Sequence, residues 1–190
     1  MTGLLSALDL RAPVGQRWYE DYVPGSVVEF GYVTLREAEM VAFAQNFDRQ
    51  QIHTDPVWAT TGPFQGLIAS GLQTLAVCMS LYVDHYVSGV ASLASPGLDE
   101  LRWPTPVRPS DRLRVQISVA QARRSCTKPD RGLVHSQVKA LNQDDKVVLS
   151  FTSMNFFAYR PGTSARADGS VAAGSRTVLD RRPAAAPVRR

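Results

Sequence analysis

Only two cysteines, Cys78 and Cys126, occur in the 190 residues, and neither belongs to a CxxC pair. Such usage argues against a disulfide framework and for free thiols in a reducing compartment, here the cytoplasm. Histidine is as scarce. His53, His85 and His135, even with the two cysteines, lack the spacings of a zinc site, so no metal is expected. No run approaches about 18 uncharged apolar residues, so no membrane span is expected. The N-terminal MTGLLSALDLRAPVG carries an apolar patch but no basic stretch before it, and holds an Asp, which does not fit a secretory signal. GxGxxG, a phosphate-binding loop and internal repeats are all missing.

Charge of one sign is lacking from the body of the chain. The formal net charge is +4, but six of the 21 basic residues and two of the 17 acidic ones lie beyond residue 160, so the whole excess sits in the tail. That tail, PGTSARADGSVAAGSRTVLDRRPAAAPVRR, has no aromatic residue. A nucleic-acid arm interleaves aromatics with its basic residues, so the segment is read as a solvated tail without a nucleic-acid partner. Rich in Ala, Gly, Ser, Pro and Arg, it offers too little apolar surface to offset its ordering entropy, and disorder is expected over 161–190.

The rest divides into an N-terminal arm over 1–24, expected to be irregular with Trp18 and Tyr19 as anchors, and a single domain over 25–160. A hydrophobic content of 44% is enough for a core. SVVEFGYVT alternates partly and reads as a strand. TLREAEMVAFAQNF (34–47) reads as a helix, with Thr34 and Glu37 as a capping box and Leu35, Ala38, Ala42 and Phe43 on its apolar face. Asp55 before Pro56 is the N-cap of a further short helix. GLIASGLQTLAVCMSLYVDHYV is the most apolar segment and predicts a helix over about 69–85, buried all round in the centre of the fold. SGVASLASPG reads as a loop, and four β patterns follow: LDELRWPTPV, DRLRVQISVAQARR, LVHSQVKALNQ and KVVLSFTSMNFFAYR. One apolar helix and a largely antiparallel sheet imply an α+β fold, the sheet wrapped around the helix.

FDRQQIHTDP, between the first two helices, holds the chemistry. Asp48 and His53 stand five positions apart. A helix would set them on poorly matched faces and a strand on opposite ones. On spacing alone the stretch suits a polar capping loop as well as a site. Order on both sides lets such a loop hold a carboxylate and an imidazole around one water, a pairing suited to proton transfer near neutrality. Downstream, GLIASGL starts the apolar helix. First-turn N–H groups lack intrahelical acceptors, and Gly71 leaves a carbonyl oxygen room to approach them. Gly66 and Gly71 suit tight packing equally well. Ser70 either lines the same pocket or bonds a backbone carbonyl, the second being favoured. His85, after Asp84, is expected to cap the helix C-terminus, and His135 to be a satisfied strand residue. Cys78, within the apolar run, has no base beside it. Arg102, Arg108 and Arg112 stand where they could meet phosphates, but their pattern assigns them no role.

FAQNFDRQQIHTDPVWATTGPFQGLIASGL resembles the signature of the MaoC-like dehydratases and (R)-specific enoyl-CoA hydratases. Their pattern runs roughly D-x-N-P-x-H-T-D, then a glycine-bearing helix start about 18 residues past the histidine. LRWPTPVRPSDRLRV resembles the strand-turn-strand that follows in that family, and the likeness covers about residues 15–160. It implies a hot-dog fold, an antiparallel sheet wrapped around one long central helix, paired as a homodimer or higher homo-oligomer. It implies a hydro-lyase that adds water to the 2,3 double bond of an enoyl thioester or removes it. Asp48 and His53 would hold the water and Gly71 N–H the thioester carbonyl, with the choice of base open. Gln50 stands at the position of the water-positioning Asn, and Gln51 at that of the Pro. No cofactor is implied, since coenzyme A or acyl carrier protein enters as part of the substrate. Two other functions fit a hot-dog chain: an acyl-CoA thioesterase, revealed by free thiol, and a non-catalytic acyl-thioester binder, revealed by binding without turnover.

Overall fold

The computed structural model of the chain describes residues 3–8, 10 and 12–163. The tail therefore lies outside the described residues from 164 onward. Among the described residues, six strands form one sheet: β1 (Gly3–Leu8), β2 (Val27–Thr34), β3 (Ser92–Arg102), β4 (Arg112–Arg124), β5 (Arg131–Leu141) and β6 (Val147–Ala158). Their spatial order is β1-β2-β4-β5-β6-β3, and every neighbouring pair is antiparallel. Four helices lie between β2 and β3: α1 (Glu37–Phe47), α2 (Gln51–Thr54), α3 (Pro56–Ala59) and α4 (Gly71–His85). The arrangement is the α+β one implied above, a sheet curved around one long helix.

The alternation of the strands explains the core. Leu113, Val115, Ile117 and Val119 of β4, Val134, Val138 and Ala140 of β5, and Leu149, Phe151 and Phe157 of β6 are all buried, with Ser136, Ser153 and Asn155 on the same inner face, while alternate residues such as Gln116, Gln137 and Thr152 are more exposed on the outer face. Polar residues on the inner face have partners from α4. Tyr82 OH donates to Asn155 Oδ1 at 2.5 Å and lies 2.7 Å from Ser153 Oγ, and Tyr86 OH lies 2.5 Å from Ser136 Oγ. A buried hydroxyl without a partner is costly, so these pairings fix which serine faces which tyrosine.

Several expectations are corrected. The first is the burial of α4. Thr74, Cys78, Leu81 and Tyr82 face the sheet, but Leu72 and Val83 are 50% and 51% exposed. A single sheet covers only one side of a helix, so an all-apolar helix keeps an open face in the isolated chain. Helix α1 starts later than its capping pattern suggested. Thr34 is the last residue of β2 and caps nothing, and Glu39 accepts from Arg36 N–H at 3.3 Å at the true start. Its buried residues are Met40 and Ala44, with Ala38 and Ala42 exposed. SLASPG, read as loop, forms the first half of β3, where Pro96 is tolerated because the strand is an edge. The pattern LDELRWPTPV stops being strand at Arg102.

The arm is less irregular than expected. It contributes β1 as the other edge strand and then two 3-10 turns, at Val14–Gln16 and Tyr19–Asp21. An edge strand takes its hydrogen bonds from a partner remote in sequence, so its local pattern is weak. Arg17, buried at 5% exposure, donates from Nη1 to Tyr86 O at 2.6 Å and His85 O at 3.4 Å, and Tyr22 OH donates to Tyr86 O at 2.9 Å. The cation at the C-terminus of α4 is thus Arg17, while the His85 ring packs against Phe30 at 5.0 Å between centroids. Trp18 and Tyr19 pack on the core, and the Tyr19 ring fills the space above Gly132, where a Cβ would lie 2.0 Å from Cε2.

Candidate active site

Asp48 is the residue at which α1 ends. Its N–H donates to Ala44 O at 2.8 Å, and its φ of −153° turns the chain out of the helix. Gln51–Thr54 then form one helical turn, α2, where a loop was expected. The break between α1 and α2 resolves the awkward five-residue spacing, because Asp48 and His53 belong to differently oriented elements and their side chains converge. His53 Nε2 lies 3.5 Å from Asp48 Oδ2. Asp55 caps α3 as expected, accepting from Val57 N at 3.0 Å and Trp58 N at 2.9 Å.

His53 is 5% exposed and its Nδ1 lies 2.9 Å from Ile68 O. A carbonyl only accepts, so Nδ1 carries the hydrogen and neutral His53 presents a lone pair at Nε2. That lone pair faces a carboxylate oxygen beyond direct bonding range. A water donating one hydrogen to each satisfies both.

Asp48 accepts from Gln50 Nε2 at Oδ1, 2.8 Å, and from Ser70 Oγ at Oδ2, 2.7 Å. Burial works to raise the Asp48 carboxyl, but the Gln50 and Ser70 hydrogen bonds and the neighbouring imidazole outweigh it and hold the group below its ordinary value. Gln50 therefore spends its amide on the carboxylate. Ser70 does not bond a backbone carbonyl with its hydroxyl, as favoured above. Fully buried at the N-cap of α4, it donates to Asp48 and accepts from Leu72 N at 3.2 Å. The sequence signal for this was available in Ser70 directly before the helix start, the commonest N-cap chemistry.

Gly71 is the first residue of α4, so its N–H has no partner within the helix. Asp48, Gln50, His53 and Gly71 line one cavity of about 420 Å³, whose remaining wall is largely apolar, with Phe64, Ile68, Leu72, Trp103 and Val148. Trp103, quoted above within a β pattern and within the resemblance but given no role, presses on Gly71. A Cβ there would lie 2.8 Å from Trp103 Cε2, and Trp103 Nε1 donates to Gly71 O at 2.9 Å. Close approach of the indole is thus what requires glycine at this position.

The other candidates lie apart. Arg108 is spent on carbonyls of the loop before α4: Phe64 O at 2.5 Å, Gly66 O at 3.0 Å and Leu67 O at 3.4 Å. Arg112 sits over the Tyr32 ring at 4.6 Å, and Arg102 donates to Leu101 O at 2.9 Å. His135 is half-buried as a strand residue, but its Nε2 finds no hydrogen-bond partner among the described residues, contrary to the expectation of a satisfied side chain. Cys78 and Cys126 are both free thiols, and burial pushes the Cys78 thiol up to about 12, far from nucleophilic thiolate.

Comparison with known proteins bears on the family and the fold. The family model for the MaoC like domain matches residues 21–140. The 3-hydroxyacyl-thioester dehydratase Z of Mycobacterium tuberculosis is 35% identical over 116 residues, which cover 60% of this chain and 71% of that protein. The uncharacterized protein YdeM of Bacillus subtilis is 30% identical over 100 residues, covering 53% and 71% respectively. Among solved structures, the MaoC-like dehydratase from Rhodospirillum rubrum superimposes with a TM-score of 0.70 at 34% identity, covering 76% of this chain and 99% of that one. The (R)-hydratase PhaJ1 from Pseudomonas aeruginosa, at 23% identity and a TM-score of 0.57 over 75% of this chain and 86% of that one, shares the fold.

Proposed function

The chain belongs to the MaoC-like domain family, and from that premise we propose that it is a hydro-lyase that adds water across the 2,3 double bond of an enoyl thioester or removes it from the 3-hydroxyacyl thioester. The observation that carries this reading is the Ile68 carbonyl fixing the hydrogen on His53 Nδ1, which turns the Nε2 lone pair toward Asp48 Oδ2 at 3.5 Å beside the open end of α4.

The steps follow from what each group has left to give. Asp48 already accepts two hydrogen bonds and is held below the ordinary carboxylate range, which makes it a poor proton acceptor and a good anchor for water. His53 Nε2 is the unclaimed base. In hydration it takes a proton from the water as the oxygen bonds to C3, and the C2=C3 electron pair moves toward the thioester oxygen. Gly71 N–H, at the positive end of α4, meets the charge that gathers there; one donor of this kind is worth roughly 3–4 kcal/mol. The proton on Nε2 passes to C2, so H and OH have been added and His53 is neutral again. Asp48 offsets the charge of the transient imidazolium. Dehydration is the same path reversed. Gln50 acts on the water through Asp48, and coenzyme A or acyl carrier protein carries the acyl group, with no further cofactor.

The test is loss of enoyl absorbance across a panel of enoyl-CoAs, beginning with crotonyl-CoA. Asp48→Asn and His53→Ala should each lower the rate by about 10²–10⁴-fold. Both variants hydrating as fast as wild type would refute the assignment, and release of free thiol without hydration would move the chain to the thioesterases.

Among the described residues no helix is long and apolar enough to cross a membrane. We assign the chain to the cytoplasm on its two free thiols, and we propose a homodimer. The β3 edge is exposed along most of its length, and Val83 and Leu72 of α4 are open. An unpaired edge strand and an open apolar helix face are surfaces that a second copy can complete.

A further inference from the structure

We propose that Trp103 is a positioning residue for the site, holding the Gly71 amide and the Asp48 carboxylate through the first turn of α4. The inference rests on the hydro-lyase reading and adds a residue to it.

A directed chain of hydrogen bonds runs from the indole to the carboxylate. Trp103 Nε1–H donates to Gly71 O at 2.9 Å. That carbonyl shares a peptide group with Leu72 N–H, which donates to Ser70 Oγ at 3.2 Å. Ser70 Oγ–H donates to Asp48 Oδ2 at 2.7 Å, the oxygen that faces His53 Nε2. Every donor points the same way, so each bond polarises the next and Asp48 receives a stronger hydrogen bond than an isolated serine supplies. The preceding peptide, Ser70–Gly71, carries the N–H that would meet the thioester oxygen. Its carbonyl is held by Thr74 N at 3.0 Å and Thr74 Oγ1 at 3.2 Å. With Gly71 O held by the indole, the peptide planes on both sides of the Gly71 Cα are pinned, and the direction of its N–H is set.

The bond is not one that burial demands. Trp103 is 44% exposed, and water could satisfy its N–H. The segment is nonetheless drawn onto the start of α4 from both ends, by Trp103 to Gly71 O and by Ala69 N to Val107 O at 2.9 Å. Gly71 supplies the complementary feature, since a methyl group there would collide with the ring at 2.8 Å. The ring also walls the cavity that holds Asp48 and His53. Bond and wall make separable contributions. The N–H aims catalytic groups and affects turnover, while the ring surface affects how tightly the acyl thioester sits.

Two variants of the full chain separate them. Replacement of Trp103 by benzothienylalanine keeps the bicyclic shape and puts sulfur in place of N–H, and Trp103→Ala removes ring and donor together. With crotonyl-CoA, the benzothienyl variant should lose about tenfold in kcat, the worth of roughly one hydrogen bond, with KM within about twofold of wild type. Trp103→Ala should lose kcat and raise KM as well. If the ring only walled the cavity, the benzothienyl variant would keep the kcat of wild type, and thermal unfolding of each variant checks that the fold is intact. If wild type turns over and the benzothienyl variant matches it in both constants, Trp103 has no positioning role and the hydro-lyase reading stands. If wild type turns over none of the enoyl-CoA panel, the hydro-lyase reading fails, and the positioning role, defined by that chemistry, fails with it.

Discussion

Replacing Ser70 by alanine is the perturbation that most directly probes the coupling of fold and site. The hydroxyl serves two partners at once: it donates to Asp48 Oδ2 at 2.7 Å and accepts from Leu72 N at 3.2 Å as the N-cap of α4. Ser70 is 0% exposed, so water does not replace it without a rearrangement. A hydrogen bond to a charged group contributes about 1.5–3 kcal/mol and a side-chain cap about 1 kcal/mol, so Ser70→Ala should lose about 3 kcal/mol. For a chain of this size that is a fall of about 6–12 °C in unfolding midpoint. The loss should depend on pH with a definite sign. Asp48 is held below the ordinary carboxylate value of about 4, so its contribution is fully present above that pH and disappears as pH falls through the lower folded value. Removing Ser70 takes away one of the bonds that hold it low, so the Asp48 carboxyl rises. The stability gap between wild type and Ser70→Ala is therefore widest near neutrality and closes on acidification toward the cap's share alone. Urea unfolding from neutral pH downward measures the gap. A gap below about 0.5 kcal/mol, or one indifferent to pH, would refute the reasoning.

Two further outcomes test the packing. Gly132→Ala puts a Cβ 2.0 Å from the Tyr19 ring, so thermal unfolding should show a loss of about 1–3 kcal/mol that Tyr19→Ala in the same chain partly relieves; a variant as stable as wild type contradicts the anchoring of the arm. Val83→Glu charges the open face of α4, and sedimentation should show a dimer reduced to monomer; a wild type that sediments as a monomer at assay concentration removes the proposed pairing.

Much of this protein can be read along the chain. The alternation of LRVQISV and its neighbours decides which side of each strand meets the core, because side-chain period and strand pleat are the same local geometry. Asp55–Pro56 announces a helix start for the same reason: the capped N–H groups are two and three residues away. Asp48, His53 and Gly71 are ambiguous by spacing and are singled out by the resemblance to the family signature, and they do line one cavity.

Partnerships between distant segments are another matter. The carboxylate that Ser70 bonds lies 22 positions away, the indole that covers Gly71 32 positions away, and the arginine that caps α4 69 positions from the carbonyl it holds. No local pattern encodes those separations. They arise when the sheet closes on α4 and brings the arm and the loop after β3 to opposite ends of that helix. The hydrogen on His53 Nδ1 is likewise assigned only by the Ile68 carbonyl opposite it. Sequence by itself determined the inner strands with their alternation, the Asp55 cap and the long apolar helix, since these depend on neighbours within a turn or a pleat, whereas the edge strand β1 and the turn α2 were not legible in it. Tertiary structure alone decided which hydrogen bonds aim the reactive groups, since a hydrogen bond requires two atoms within about 3 Å and the chain brings them there only by folding.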